Sequence, residues 1–172
     1  MRFTVRGLAL FAGGIAVGIL LMQPVMAQKD AQKGAPRDTG MKLNHVGIAV
    51  KNFDEAVAYY TKTMGFRPAF AFKNADGTPA LAYLQISRDT FLEIQPATAE
   101  RPAGISHLGI ETGDAKATVA RLKGLGVKVD EAAASARTGA LLTNAFDAEG
   151  IRTELLEFGP ASLQRKAMNG WK

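Results

Sequence analysis

The chain contains two histidines, His45 and His107, and no cysteine. Two glutamates, Glu93 and Glu154, stand at matching distances beyond them, and the four residues follow one another as His, Glu, His, Glu. Two imidazoles and two carboxylates converging on one point would form an N2O2 site. That donor mix suits zinc, nickel, cobalt, manganese or ferrous iron rather than copper(I) or calcium. The competing reading is structural: histidines hydrogen-bonded to glutamates inside a barrel, without metal. The pairing of both histidines with both glutamates at equivalent positions favours the metal. Without cysteine, disulfides, thiolate ligands, cysteine nucleophiles and a lipid-attachment cysteine are all excluded.

These positions recur because the sequence repeats. Asn44-His45-Val46-Gly47-Ile48 matches Ser106-His107-Leu108-Gly109-Ile110 at an offset of 62. Gly65-Phe66 matches Gly126-Val127 at 61, and Glu93 matches Glu154 at 61. Three matches in one order at nearly one offset indicate a duplicated module of about 60 residues. Each module reads as a βαβββ unit, giving an α+β fold. The opening strands are expected at 42–50 and 105–112. A first helix starts at Asn52, with Glu55 completing a capping-box-like pattern. It buries the stripe Phe53, Ala56, Val57, Tyr60 and Met64 and stops at Gly65. A second helix is capped by Asp114, carries Val119, Leu122 and Leu125, and stops at Gly126. Strands near 66–73, 80–87 and 90–96 complete the first module, with Asn74-Ala75-Asp76-Gly77 as a hairpin turn. Strands near 127–130, 139–146 and 151–158 complete the second.

Side chains alternate across a strand. Val46, Ile48 and Val50 therefore form the face that the first helix covers, while His45, Gly47 and Ala49 point the other way. His107, Gly109 and Glu111 share a face on the second opening strand. Glu93 lies with Phe91 and Gln95, and Glu154 with Arg152 and Leu156. All four candidate ligands thus fall on the face away from the helices, which is concave if the sheet curls. Glu157 follows the same motif as Glu154 but has the wrong parity. Glu111 reads as a solvated strand-end residue, or else as a pocket residue repelling acids. Tyr59 and Tyr60 read as helix packing groups.

The remaining segments set the context. Residues 1–27 have basic Arg2 and Arg6, an apolar run from Gly7 to Met22, then Pro24 and Val25-Met26-Ala27. This is the pattern of a secretory signal cleaved after Ala27. The alternative is an uncleaved membrane tether, but Gly13, Gly14 and Gly18 dilute a run already short for a span. Residues 28–40 lack large apolar side chains and read as a flexible linker. The domain is expected at 41–159, in modules 41–100 and 101–159. A C-terminal tail, 160–172, contains the one tryptophan, Trp171. Removing Arg2 and Arg6 takes 21 basic residues to 19 against 16 acidic, a net of +3 with no basic cluster, so nucleic acid is not an expected partner. A periplasmic or secreted protein acting on a small molecule is expected, with no stable membrane anchor once the signal is removed. Closure of the cup within one chain or across a homodimer stays open.

The segments Leu43–Val50, Tyr59-Tyr60 with Gly65-Phe66, Phe91–Ile94, Ile105–Ile110 and Asp147–Leu155 together resemble the vicinal oxygen chelate superfamily. It includes glyoxalase I, methylmalonyl-CoA epimerase, extradiol dioxygenases, and fosfomycin- and bleomycin-resistance proteins. The resemblance implies two βαβββ modules forming an eight-stranded open cup, with one divalent metal held by His45, Glu93, His107 and Glu154. A fourth ligand at Glu93 is similar to the glyoxalase and epimerase branch, a metal-dependent lyase or isomerase. Glu93 or Glu154 would then be the catalytic base for a proton shift alpha to a carbonyl. Two other readings are a small-molecule-binding module and an Fe(II) dioxygenase using His45, His107 and Glu154 alone. Ala49 stands where glutathione-dependent glyoxalase I has an arginine, which argues against glutathione adducts. Fold kinship alone does not choose the reaction.

Overall fold

The computed structural model describes residues 40–172, and the expected leader and the linker up to residue 39 fall outside them. Nine strands and three helices follow in order: β1 (Lys42–Val50), α1 (Phe53–Ala58), β2 (Arg67–Lys73), β3 (Pro79–Ser87), β4 (Thr90–Pro96), β5 (Gly104–Glu111), α2 (Ala115–Gly124), β6 (Lys128–Val129), β7 (Ala133–Ala134), β8 (Leu141–Phe146), β9 (Arg152–Glu157) and α3 (Leu163–Asn169). The duplicated βαβββ pattern is present, with the two-residue β7 as an addition to the eight strands expected.

All strands belong to one sheet, in the order β2-β3-β4-β1-β5-β9-β8-β6, with β7 also on β8. Each module pairs its opening strand in parallel with its last, β1 with β4 and β5 with β9. The modules join where β1 and β5 run antiparallel. Phe91 on β4 and Leu156 on β9 belong to one apolar cluster although β1 and β5 lie between their strands. Contact across that interval requires the sheet to curl toward this face.

The helices cover the opposite face, as the alternation predicts. Leu84, Leu92 and Ile94 are buried under α1, with Ile48, Val50, Phe53, Ala56, Val57 and Tyr60. Val119, Val129, Ala145 and Leu155 form the equivalent cluster under α2. Helix capping differs between the modules. Asp114 accepts from the Ala117 backbone N–H at 2.8 Å, an N-cap bond. Asn52 makes no backbone cap; its amide donates to the Glu55 carboxylate at 2.8 Å, which corrects the capping-box expectation. The first helix also ends in a π-helical turn over Tyr59–Thr63, where Met64 N–H reaches the Tyr59 carbonyl at 3.1 Å. Gly65 and Gly126 then take φ of 76° and 77°, the left-handed stops expected of them.

The tail from residue 160 is an ordered part of the domain. Ser162 caps α3, and the Leu163 N–H donates to the Thr138 carbonyl at 2.9 Å. Met168 enters the cup-side cluster with Leu81, Tyr83, Phe91, Leu156 and Phe158. Arg67 donates to the Gly170 carbonyl at 3.1 Å and lies over the Trp171 ring. Thus α3 fills part of the cup formed by the first module. Among the described residues, no helix is long and apolar enough to cross a membrane.

Candidate metal centre

The register of β1 and β5 places His45 opposite Gly109 and Gly47 opposite His107. Each imidazole lies over the glycine of the other strand. A Cβ at Gly109 would stand 2.0 Å from His45 Cε1, and one at Gly47 would stand 2.0 Å from His107 Cε1. Only glycine leaves room for the rings to reach the midline between the strands. The repeated His-x-Gly is therefore a steric motif.

The rings meet there. His45 Nε2 and His107 Nε2 are 3.0 Å apart, and both side chains are buried. Glu93 arrives from β4, in parallel pairing with β1, and Glu154 from β9, in parallel pairing with β5. Glu93 Oε2 is 3.4 Å from His45 Nε2 and 3.6 Å from His107 Nε2. Glu154 Oε2 is 3.4 Å and 3.9 Å from the same atoms. One donor atom from each of the four residues falls within 4.8 Å of the others. Donors around one ion at about 2.0–2.2 Å stand roughly 3.0–3.6 Å apart when adjacent and about 4.2 Å when opposite. The five separations that involve a histidine, 3.0–3.9 Å, fit that range, so the four residues singled out in the sequence could hold a divalent ion together.

Neighbouring groups fix the rings. Asn44, buried beside His45, presents its side-chain oxygen 3.0 Å from His45 Nδ1 and donates its amide to the Asp89 carbonyl. Ser106 Oγ is 2.9 Å from His107 Nδ1. A partner on Nδ1 orients the ring and directs Nε2 to the centre. His107 Nδ1 also receives Arg152 Nη2 at 2.7 Å. A guanidinium can only donate. In this arrangement Nδ1 accepts, so the proton of a neutral His107 ring sits on Nε2. Binding an ion through Nε2 requires the other tautomer, with Nδ1–H on Ser106 and Arg152 turned away.

The two glutamates are held differently. Tyr83 O–H donates to Glu93 Oε2 and Gln95 N–H to Glu93 Oε1, each at 2.5 Å. Burial alone would raise the Glu93 carboxyl; a hydrogen bond from His107, the charges of both imidazoles and the Tyr83 hydroxyl outweigh it and hold the group at about 2. Burial, with the charges of Glu93 and Glu154, pushes the Tyr83 phenol well above its ordinary value, so it remains a donor. Glu154 has a more exposed side chain, 13% against 5%, and its nearest cation is Arg152 Nη1 at 3.9 Å.

The other acids singled out in the sequence have structural roles. Glu157 accepts from the Ala115 N–H at the start of α2, as its opposite parity predicts. Glu111 is neither a solvated end nor a free pocket acid: it pairs with Arg165 of α3 at 2.7 Å. Tyr83, Asn44, Ser106 and Gln164 join the site without being marked as functional by sequence pattern alone. Asn44 and Ser106 were visible in the repeat, one residue before each histidine. Tyr83 depends on the β3–β4 register, which pairs it with Glu93. Gln164, buried and in contact with the Tyr83 hydroxyl, comes from α3, which has no counterpart in the repeat.

Residues 42–155, well over half of the chain, match the model of the Glyoxalase/Bleomycin resistance protein/Dioxygenase superfamily. The chain belongs to that superfamily. No curated protein matches its sequence. Solved structures with this superfamily's fold match it over most of the described domain. Methylmalonyl-CoA epimerase from Mycobacterium tuberculosis is 26% identical, with a TM-score of 0.60, over 69% of this chain and 88% of that one. The Streptomyces coelicolor epimerase, solved with 2-nitronate-propionyl-CoA, is 24% identical with a TM-score of 0.60, over 70% and 96%. A hypothetical protein from Bacillus halodurans is 22% identical with a TM-score of 0.57, over 69% and 95%. Likeness at these identities speaks for the fold, and superfamily members of this fold are typically metal-dependent.

Proposed function

We propose that the chain is an exported, divalent-metal-dependent lyase or isomerase of the glyoxalase and epimerase type. It would shift a proton alpha to a carbonyl in a small substrate with two neighbouring oxygens. The supporting observation is the convergence of His45, Glu93, His107 and Glu154 together with the unequal restraint on the two glutamates. Export rests on the pattern of residues 1–27. A bound ion supplies a Lewis acid for the substrate's vicinal oxygens.

The protein's own groups divide the remaining work. His45 and His107 are fixed ligands, oriented by Asn44 and Ser106. Glu93 remains a ligand because Tyr83 and Gln95 hold both of its oxygens. Glu154, without such hydrogen bonds, is the general base: it takes the proton from the carbon and returns it to the same carbon or its neighbour. The three-ligand dioxygenase reading leaves Glu93 without a purpose, although its oxygen lies as close to His45 as that of Glu154.

The test is solvent-deuterium incorporation, followed by proton NMR, into a panel of small hydroxy-carbonyl compounds. One member should exchange a single alpha hydrogen with wild-type protein. Glu154→Gln should abolish the exchange while retaining metal. Exchange that survives Glu154→Gln would assign the base elsewhere, and an absence of exchange across the panel with metal bound would favour a binding module.

A further inference from the structure

Arg152 stands on β9 two residues before Glu154, where the first module has Phe91 two residues before Glu93. The same offset of 61 pairs Tyr83 with Asn144 and Gln85 with Phe146. The registers agree: Tyr83 faces Glu93 as Asn144 faces Glu154, and Gln85 faces Phe91 as Phe146 faces Arg152. Burial does not follow the repeat. Tyr83, Gln85, Phe91 and Glu93 are all buried, whereas Asn144, Phe146, Arg152 and Glu154 each keep part of their surface exposed. Helix α3 contributes to the difference, since Gln164 contacts the Tyr83 hydroxyl and Met168 joins Tyr83 and Phe91 in one apolar cluster. The centre is therefore closed on the first module's side and reachable from the second's.

The reachable side is polar. Arg152 donates to His107 Nδ1 at 2.7 Å and to Asn144 Oδ1 at 3.2 Å, and its Nη1 lies 3.9 Å from Glu154 Oε1. Its side chain is 30% exposed, so a ligand can touch it. A partly exposed arginine is usually just solvated. This one lies a single imidazole ring from the place where a divalent ion would sit, and like charges at that range repel. With His107 bound through Nε2, its Nδ1 carries the proton and no longer accepts from Arg152. Glu154 is then shared with the ion. A guanidinium so placed lacks an anion, and the exposed side is where a substrate can bring one. A carboxylate matches the planar fork of Arg152. A phosphate, with about two charges, would be repelled more strongly by Glu154.

We propose that Arg152 and Asn144 bind a carboxylate of the substrate on the second module's side of the centre, beside Glu154. The inference rests on the proposed function and narrows its substrate to a small acid: two neighbouring oxygens for the ion, and a separate carboxylate for Arg152. Arg152 is the specificity-determining residue. The Asn144 side chain, whose oxygen holds Nη1, offers its N–H to the same carboxylate.

The probes are malate and lactate, titrated calorimetrically into the full mature protein loaded with zinc, with the zinc content of the same samples measured by elemental analysis. Both acids carry a hydroxyl and a carboxylate on neighbouring carbons, and malate adds a second carboxylate. At least one malate enantiomer should bind roughly tenfold more tightly than either lactate and should shift the Arg152 Nε–H NMR signal. Arg152→Gln should bring malate to the lactate affinity and leave lactate binding unchanged. Asn144→Ala, which keeps the guanidinium, should remove part of the preference and keeps the test decisive if Arg152→Gln misfolds. With zinc retained, equal affinities for the two acids in wild type, or a malate preference that persists in full in the variants, overturns the proposal alone. Wild-type protein that retains no zinc overturns the metal-dependent reading, and the proposal with it.

Discussion

His45 packs its imidazole against the bare Cα of Gly109 on the neighbouring strand, and His107 does the same at Gly47. The two relations are symmetric and bring the ring nitrogens to 3.0 Å. Alanine at either glycine is an ordinary strand residue by propensity, so its effect isolates this contact. Gly109→Ala should displace the His45 ring, lower metal affinity by about 10–100-fold and cost about 1–3 kcal/mol from overpacking. Circular dichroism and a metal-competition titration check both; unchanged affinity would show that the ring does not need the space.

Glu93 predicts an acid dependence for the metal-free protein. Its folded pKa, about 2, lies below the ordinary 4.5. A depressed carboxylate contributes stability that is present above the unfolded value and lost as pH falls through the folded one. The stability difference between wild type and Glu93→Gln should therefore shrink as pH falls from about 4.5 toward 2. Denaturant titrations across that range measure it; a difference independent of pH would contradict the ionised, hydrogen-bonded Glu93.

Tyr83 should act through Glu93 and stay protonated. Tyr83→Phe removes a hydrogen bond to a buried carboxylate and should cost about 1.5–3 kcal/mol. Because the Tyr83 phenol is held well above 10 by burial and the nearby glutamates, the variant should show the same rise in tyrosinate absorbance near pH 10 as wild type. A smaller rise would mean that Tyr83 ionises with the exposed phenols.

Arg152 should oppose metal loading, since its bond to His107 Nδ1 requires the tautomer that protonates Nε2. Arg152→Ala should raise metal affinity about tenfold, seen by competition with a chromogenic chelator. An affinity that falls would give Arg152 a supporting role, through Glu154 or Asn144.

Much of the centre was legible because duplication places the same residue type at the same strand position twice. His45, His107, Glu93 and Glu154 needed only parity and offset to be assigned to one face. The β1–β5 register was not legible, and it sets the ring-over-glycine contacts. Tyr83 escaped because its role depends on which residue it faces across a hairpin, and β-bulges shift that pairing by a residue. Gln164 and Arg165 lie beyond the repeat, where no second copy marks them, and only tertiary packing brings α3 into the cup. Asn52 shows the reverse: a capping pattern was present, but its amide bonded the Glu55 side chain instead of the helix backbone.

Metal stoichiometry in the untagged protein, measured by elemental analysis after loading with a first-row divalent ion and gel filtration, tests the four-residue centre most directly. One ion per chain is predicted for wild type, falling to none in His45→Ala and in His107→Ala. Wild type that retains no ion, or histidine variants that retain a full equivalent, would contradict it.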